Sequence, residues 1–246
     1  MSGHSHFATI KRAKELKDSQ KGKIFSKHAR SISMAVKAGG GTDPTANYKL
    51  RMAIEAARAD NLPKENIERA ISKASTEASN LEEYVYEGYG PFGVSFLIEA
   101  TTDNKNRTAQ EIKNIFERGG GSMAGPGSVS FNFESIGMIK VKKSESPETQ
   151  LLDLIDLGID DYEEVGDELI LYVPFDKTAQ LKDAISSKGY SVVSTQLIKK
   201  AKTFLDITEI GKAKKIFDLI KKMEEQDDVQ NVYTNVNVSG ELLATL

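Results

Sequence analysis

The sequence contains no cysteine, which excludes disulfide bonds and thiolate chemistry. It also lacks any apolar run close to the ~18 residues that a membrane-spanning helix needs. The amino terminus has no apolar segment after a basic start, so it does not have the pattern of a secretory signal. These absences predict a cytoplasmic protein that neither spans nor binds a membrane.

Charge is divided unevenly along the 246 residues. Residues 1–80 carry 15 lysines and arginines against 8 acidic residues, a net charge of +7, whereas the remainder carries 18 against 28, a net charge of −10. Such asymmetry indicates a region that faces a polyanion, attached to an acidic body. A chance distribution of the charges is the alternative.

Residues 1–80 are predicted to form a basic, all-helical domain. Apolar residues recur with helical spacing from residue 8 to about residue 74. Glycines 39–41 end one helix, and Asp43 with Pro44 is predicted to open the next. Residues 60–63 separate it from a third helix. The apolar face of the first helix contains Ile24, His28, Ile32 and Ala35.

The rest of the chain alternates strands and helices, which predicts an α+β multidomain protein with two α/β-sandwich domains. The strands YVYEGYG and GVSFLIEA, a helix ending at glycines 119–121 and a strand SVSFNF begin the first of them. Residues 135–202 follow the order βαββαβ, which is typical of a ferredoxin-like unit. A final helix and strand are expected to return to the first sheet. We therefore predict a helical domain at 1–80, a discontinuous α/β domain at 81–134 plus 203–246, and an inserted acidic ferredoxin-like domain at 135–202.

The three histidines lack the spacing of a metal site. His4 and His6 would bring two imidazoles together only in a strand, and His28 would have to supply a third ligand from a helix. We predict no metal site, and a helix-packing role for His28 with its ring nitrogen hydrogen-bonded. No cofactor is predicted, because the glycine clusters at 39–41 and 119–127 carry neither a P-loop ending nor a dinucleotide fingerprint.

Cations of the first helices are the candidate nucleic-acid contacts. In residues 1–38, nine lysines and arginines are opposed only by Glu15 and Asp18. A cation that neutralises a phosphate releases condensed counterions, so duplex DNA and ribosomal or other structured RNA are both eligible partners. A solvated basic face is the alternative. The predicted contacts in this region are Lys11, Arg12, Lys14, Lys21, Lys23, Lys27, Arg30 and Lys37.

A second candidate contact lies in TTDNKNRT, residues 101–108. Lys105 and Arg107 stand at the start of a predicted helix, where free backbone N–H groups favour anions. Thr108 and Glu111 are predicted to form a capping box there. A turn with a helix cap is the alternative, although it does not require the two cations.

The predicted insertion is acidic. Residues 144–201 contain 12 acidic residues and 5 lysines, and six of the acids surround one predicted hairpin. Such a surface repels phosphate. It would suit a basic protein partner, ribosomal proteins included, or would cover the basic helices in the free state. A solvated edge that protects a strand from aggregation is the alternative.

Several motifs resemble one known family. GHSHFATIKRAK, KGKIFSK, the segment from GGGTDP to NLPKENIERAI, YEGYGPFGV, TDNKNRT, GSVSFNF and DDVQNVYTNV are similar to the YebC/PmpR family, which includes the mitochondrial translational activator of cytochrome oxidase subunit I. The resemblance is dense over residues 1–135, thins through the insertion and returns near the end. His6 and Phe7 stand where the family pattern usually has a lysine and a tryptophan.

The resemblance implies a three-domain cytoplasmic protein with no enzymatic activity. Bacterial members are described as DNA-binding transcriptional regulators, whereas the mitochondrial relative and some bacterial members act in translation at the ribosome. We therefore predict a non-enzymatic, nucleic-acid-binding regulator of gene expression, in the first place a DNA-binding transcriptional regulator. A ribosome- or rRNA-binding translation factor is the alternative, and a protein-interaction scaffold is a third. The helical region shows no helix-turn-helix signature, so base-specific binding is not predicted.

Overall fold

A computed structural model describes residues 21–76 and 80–243 of the chain. Its amino-terminal part consists of the helices α1 (Lys21–Ala38), α2 (Tyr48–Ala59) and α3 (Lys64–Thr76). Their apolar faces enclose one core, in which Ile32, Leu50 and Ala57 are fully buried. The predicted helical fold of this region is therefore confirmed over the described residues.

Asn47 joins α1 to α2 and sets where α2 begins. Its Oδ1 accepts a hydrogen bond from Leu50 N at 3.0 Å, while its Nδ2 donates to the carbonyl oxygens of Ala35 and Gly41, both at 2.8 Å. The prediction that Asp43 and Pro44 open α2 is wrong, because residues 43–46 form a turn before this cap.

The remaining elements follow in chain order. The first segment contains β1 (Glu82–Tyr89), β2 (Ser95–Thr102), α4 (Lys105–Arg118) and β3 (Ser122–Ala124). Next come β4 (Phe133–Lys142), α5 (Pro147–Asp156), β5 (Asp161–Val165), β6 (Glu168–Pro174), α6 (Thr178–Ser187) and β7 (Val192–Ala201). The last segment contains β8 (Leu205–Ile207), α7 (Ile210–Glu224), β9 (Val229–Thr234), β10 (Val236–Val238) and α8 (Gly240–Leu243).

Two antiparallel sheets organise these elements. One has the order β3-β1-β2-β9, so a strand from the end of the chain pairs with β2, and β8 pairs with β10 in parallel. We call the unit built on this sheet the first unit. Helices α4 and α7 pack on one face of its sheet around Phe96, Ile98 and Phe116.

Strands β4 to β7 form the other sheet. We call this sheet, together with the helices α5 and α6 between its strands, the inserted unit. Its order is β5-β6-β4-β7, with the first and third strands of the unit at the centre, as in ferredoxin-like folds. The predicted α+β fold with a ferredoxin-like insertion is confirmed, while the boundaries between domains stay a prediction. None of the helices in the described ranges is long and apolar enough to cross a membrane.

Glu87 on β1 determines the course of the glycine-rich loop. Its buried carboxylate accepts three backbone hydrogen bonds, from Gly127 (2.8 Å), Val129 (2.6 Å) and Ser130 (2.9 Å). Burial raises the pKa of Glu87, but the hydrogen bonds lower it by more than burial raises it. The pKa of this carboxyl group is therefore below its usual value. The predicted strand SVSFNF is wrong over residues 128–132, which form a bend and a short 3-10 turn, because two of their N–H groups bind this carboxylate.

Candidate nucleic-acid interface

Two lysines of α1 bind the carboxyl end of α7. Lys23 Nζ donates to the carbonyl oxygen of Glu225 at 2.9 Å, and Lys27 Nζ donates to that of Glu224 at 2.6 Å. The last carbonyl groups of a helix have no partner within the helix, and the helix dipole makes this end negative. The basic stripe of α1 therefore caps another helix of the same chain.

Arg30 and Arg107 both bind Asp228, at the start of β9. Arg30 Nη1 lies 2.7 Å from Asp228 Oδ1 and 2.6 Å from the carbonyl oxygen of Asp227. Arg107 Nη2 lies 2.9 Å from Asp228 Oδ2, which also accepts a hydrogen bond from the Thr108 hydroxyl at 2.7 Å. Asp228 is only 3% exposed, so two cations and a hydroxyl satisfy a nearly buried carboxylate.

This environment fixes the protonation state of Asp228. Burial raises the pKa of its carboxyl group, but the hydrogen bonds from Thr108, Arg107 and Arg30 lower it more, and the net pKa is about 2. The carboxylate is therefore ionised at neutral pH and serves as a charged connection between α1, α4 and β9.

Several of the predicted cations lie at a seam between α1 and the first unit. A cleft of about 450 Å³ at one end of this seam is lined by Lys23, Arg30 and Arg107, with Glu111 and residues 225–228. A second cleft, of about 340 Å³, is lined by Lys37 with residues 80–82, Tyr84, Thr102 and Asp103. Lys105 Nζ lies 5.1 Å from the centre of the Tyr84 ring.

Exposure separates these cations into two groups. Lys27 and Arg30 are half-buried and hold partners across the seam. The exposed members are Lys23, Lys37, Lys105 and Arg107. Of the other predicted contacts, Lys21 opens α1, whereas Lys11, Arg12 and Lys14 lie outside the described residues, as do His4 and His6.

Asn104, rather than Thr108, caps α4. Its side chain accepts a hydrogen bond from Arg107 N at 3.1 Å, and the helix begins at Lys105. The predicted capping box of Thr108 and Glu111 is wrong, because Thr108 lies one turn inside the helix and its hydroxyl is held by Asp228.

His28 has the packing role predicted for it. Its Nε2 lies 2.7 Å from Asp60 Oδ2, so the ring connects α1 to the end of α2. Within residues 21–76 and 80–243, no group of three His, Asp or Glu side chains is arranged to hold a metal ion.

The inserted unit meets the helical region at α2. Lys182 of α6 pairs with Glu55 of α2 at 2.8 Å, so there the inserted unit supplies the cation and the helical region the anion. The basic stripe of α1 instead meets residues 224–228 of the first unit. The expectation that the acidic unit covers the basic helices is therefore wrong for Lys23, Lys27 and Arg30, whose observed partners belong to the first unit.

Helix α7 carries a set of cations that the sequence analysis missed. It was predicted only to be amphipathic, but its exposed side presents Lys214, Lys215, Lys221 and Lys222. The signal is present in the sequence, since two lysine pairs seven residues apart fall on the same side of a helix.

Two family models match the chain. One, described as the TACO1/YebC protein N-terminal domain, matches residues 5–77, and the other, described as the TACO1/YebC second and third domain, matches residues 81–236. Together these models cover most of the sequence.

Curated relatives and a solved structure match over nearly the full length. A probable transcriptional regulatory protein of Thermoanaerobacter pseudethanolicus is 45% identical over 98% of this chain and 99% of its own. One of Chloroflexus aurantiacus is 43% identical over 99% of this chain and 98% of its own. The crystal structure of a conserved hypothetical protein from Aquifex aeolicus has a TM-score of 0.82 at 38% identity, covering 90% of this chain and 92% of that one.

Proposed function

Because the chain belongs to the TACO1/YebC family, we propose that it is a non-enzymatic regulator of gene expression that binds nucleic acid, in the first place duplex DNA as a transcriptional regulator. The relatives named as probable transcriptional regulatory proteins support the regulatory role. The binding role rests on one observation, the exposed cations at the two clefts of the seam. Lys23 and Arg107 line the first cleft and Lys37 lines the second, while Lys105 lies over the ring of Tyr84, which also lines the second cleft.

The exposed cations of the seam suit phosphates better than they suit bases. Lysine and arginine contacts to phosphate position a duplex but carry no sequence information. Lys27 and Arg30 are half-buried, whereas Lys23 and Arg107 stay exposed although they also bind the first unit, so the exposed cations are the ones that would meet a backbone. Binding through the seam is therefore expected to depend strongly on salt and weakly on sequence.

The protonation state of Asp228 does not suit this carboxylate to proton transfer. A general acid or base works best with a pKa near the working pH. Asp228 has a pKa of about 2, and both of its oxygens are hydrogen-bonded. This buried carboxylate therefore has a structural role, binding Arg30 and Arg107, and does not transfer protons.

The charge division favours a second candidate function, in translation at the ribosome. Exposed acids surround the β5–β6 hairpin, and two of them already have partners: Asp161 pairs with Lys200 at 3.2 Å and Glu164 with Lys143 at 2.8 Å. Asp160 and Asp167 are also exposed. A ribosome contains both RNA, which would bind the cations of the seam, and basic proteins, which would bind the acidic residues of this hairpin.

Fluorescence anisotropy tests the first candidate. A labelled mixed-sequence DNA duplex and a labelled rRNA stem-loop of equal length are titrated at several salt concentrations. The variant K23Q/K105Q neutralises two seam cations and leaves Arg30 and Arg107 on Asp228. Its slope of log K against log salt on DNA is expected to fall by about 0.9 per lost phosphate contact. K142Q/K177Q, at two exposed lysines of the inserted unit, is the control.

The outcomes separate the candidates. Binding of neither probe at low salt would overturn a nucleic-acid function altogether. Preference for the RNA stem-loop, together with sedimentation of the protein with ribosomes that is weakened in K23Q/K105Q, would make the translational candidate primary.

A further inference from the structure

Helix α7 has a cationic side directly opposite its buried side. Its apolar residues enter the core of the first unit: Ala213, Ile216, Leu219, Ile220 and Met223. Successive residues advance by about 100° around a helix, so the exposed residues of α7 from Lys214 onward fall within an arc of about 120°. They are Lys214, Lys215, Asp218, Lys221 and Lys222. We call the four lysines the lysine face.

The lysine face keeps its charge. Within the described part of the chain none of its four lysines forms an ion pair, whereas nearby Lys212 pairs with Glu209 at 2.5 Å. Asp218 is the one acidic residue in the same arc, whereas on the adjacent helix α4 the exposed Lys113 is paired with Glu117 at 3.9 Å. With four lysines and one aspartate, the exposed side of α7 has a net charge of +3, which favours an anionic partner.

The lysine face ends at the seam. Lys221 lies one helical turn before Glu225, which lines the first cleft and accepts the hydrogen bond from Lys23. From Lys214 to Lys222 the helix rises about 12 Å. A DNA duplex carries about one negative charge per 1.7 Å of its axis, so a segment of this length offers each lysine a phosphate.

We propose that the lysine face is a second phosphate-binding surface, which holds the backbone of a nucleic-acid duplex that also contacts the seam. This inference rests on the proposed function, since it takes nucleic acid as the partner. Lysine is a flexible point charge that binds phosphate without reading bases, so the lysine face contributes affinity and salt dependence rather than sequence preference. The buried side of α7 holds the four charges in fixed order along the helix.

A matched pair of variants tests the inference. K214Q/K215Q/K221Q/K222Q neutralises the lysine face, and K49Q/K64Q/K142Q/K177Q neutralises four exposed lysines elsewhere, so both lose the same net charge. The affinity of each for a labelled DNA duplex is measured against salt concentration. The first variant is expected to lower the slope by about 0.9 per lost contact, so by roughly 3 to 4 in total, and the second to change it by less than about 1. Circular dichroism confirms folding, and K221Q/K222Q, with roughly half the effect, serves if the quadruple variant does not fold.

The results distinguish failure of the inference from failure of the proposed function. If the wild-type protein binds the duplex and both quadruple variants behave alike, the lysine face is not a binding surface, although the seam can be. If the wild-type protein binds no duplex at any salt concentration, the proposed function fails and takes this inference with it. A selective loss in the lysine-face variant supports both.

Discussion

Arg30 and Asp228 are 198 residues apart in the sequence, yet the Arg30 guanidinium lies 2.7 Å from the Asp228 carboxylate. The pair connects the helical region to a strand at the other end of the chain. Arg107 binds the second oxygen of the same carboxylate, so one side chain holds three elements together. Substitution of Asp228 therefore tests directly how α1, α4 and β9 are held together.

Replacing Asp228 by Asn is expected to lower the free energy of unfolding by about 3 kcal/mol, because two arginines lose the charge that compensates them. Urea denaturation measures this difference. D227N is the control: the neighbouring carboxylate is exposed and only its backbone oxygen binds Arg30, so a change within about 0.5 kcal/mol is expected. Equal effects of the two substitutions would show that the contacts of Asp228 with the two arginines do not stabilise the fold.

The effect of D228N is expected to depend on pH. The pKa of Asp228 is about 2 in the folded protein and 3.8 without the fold, so the unfolded chain binds a proton first as pH falls. The stability that the carboxylate contributes is thus complete above about pH 4 and is lost as pH falls toward 2. Denaturation curves of the wild type and D228N should converge over this range. A difference that stays constant from pH 5 to pH 2 would contradict the assigned pKa.

Glu87→Gln is expected to destabilise the protein by about 2 kcal/mol, because a buried carboxylate that accepts three N–H bonds is replaced by an amide with only one acceptor oxygen. Hydrogen exchange should be faster at the amides of Gly127, Val129 and Ser130. Glu83→Gln changes an exposed residue of the same strand and should leave these amides protected. Unchanged exchange in the Glu87 variant would mean that the loop is held by other contacts.

Asn47→Ala is expected to cost about 1 to 3 kcal/mol, since it removes the cap of α2 and one of the two hydrogen bonds that the Ala35 carbonyl oxygen accepts, the other coming from Gly39 N. Asn47→Ser keeps a good capping oxygen but cannot reach both carbonyl groups, so its cost should be intermediate. Thermal or urea denaturation of the two variants separates the contributions. A serine variant as unstable as the alanine variant would show that the cap contributes nothing.

The sequence predicted element types well where periodicity decides them. The βαββαβ order of the inserted unit and the packing role of His28 followed from apolar spacing, and both are found in the structure. Boundaries depended on single hydrogen bonds. Asn104 and Thr108 are both good capping residues, and the choice between them follows from Asp228, which is 120 residues from Thr108 in the sequence.

Features that depend on contacts between residues far apart in the chain could not be predicted from local sequence patterns. Helical spacing separates the basic stripe of α1 from its apolar stripe, but nothing local shows that Lys27 binds a carbonyl group 197 residues away. The strand expected at SVSFNF has a favourable composition, and Glu87 overrides it with backbone hydrogen bonds. The lysine face is visible in the sequence as two lysine pairs seven residues apart on one side of a predicted amphipathic helix.

The distance between α1 and its partners also sets an order of events during synthesis. Helices α1 to α3 enclose a core of their own, so they can fold as soon as residue 76 is available. Residues 224–228 are synthesised about 150 residues after residue 76. At usual rates of chain elongation this takes roughly 7 to 30 seconds. During that interval the basic side of α1 is made and folded, yet its partners do not exist. A nascent chain thus carries an uncovered cationic helix beside the machine that is making it.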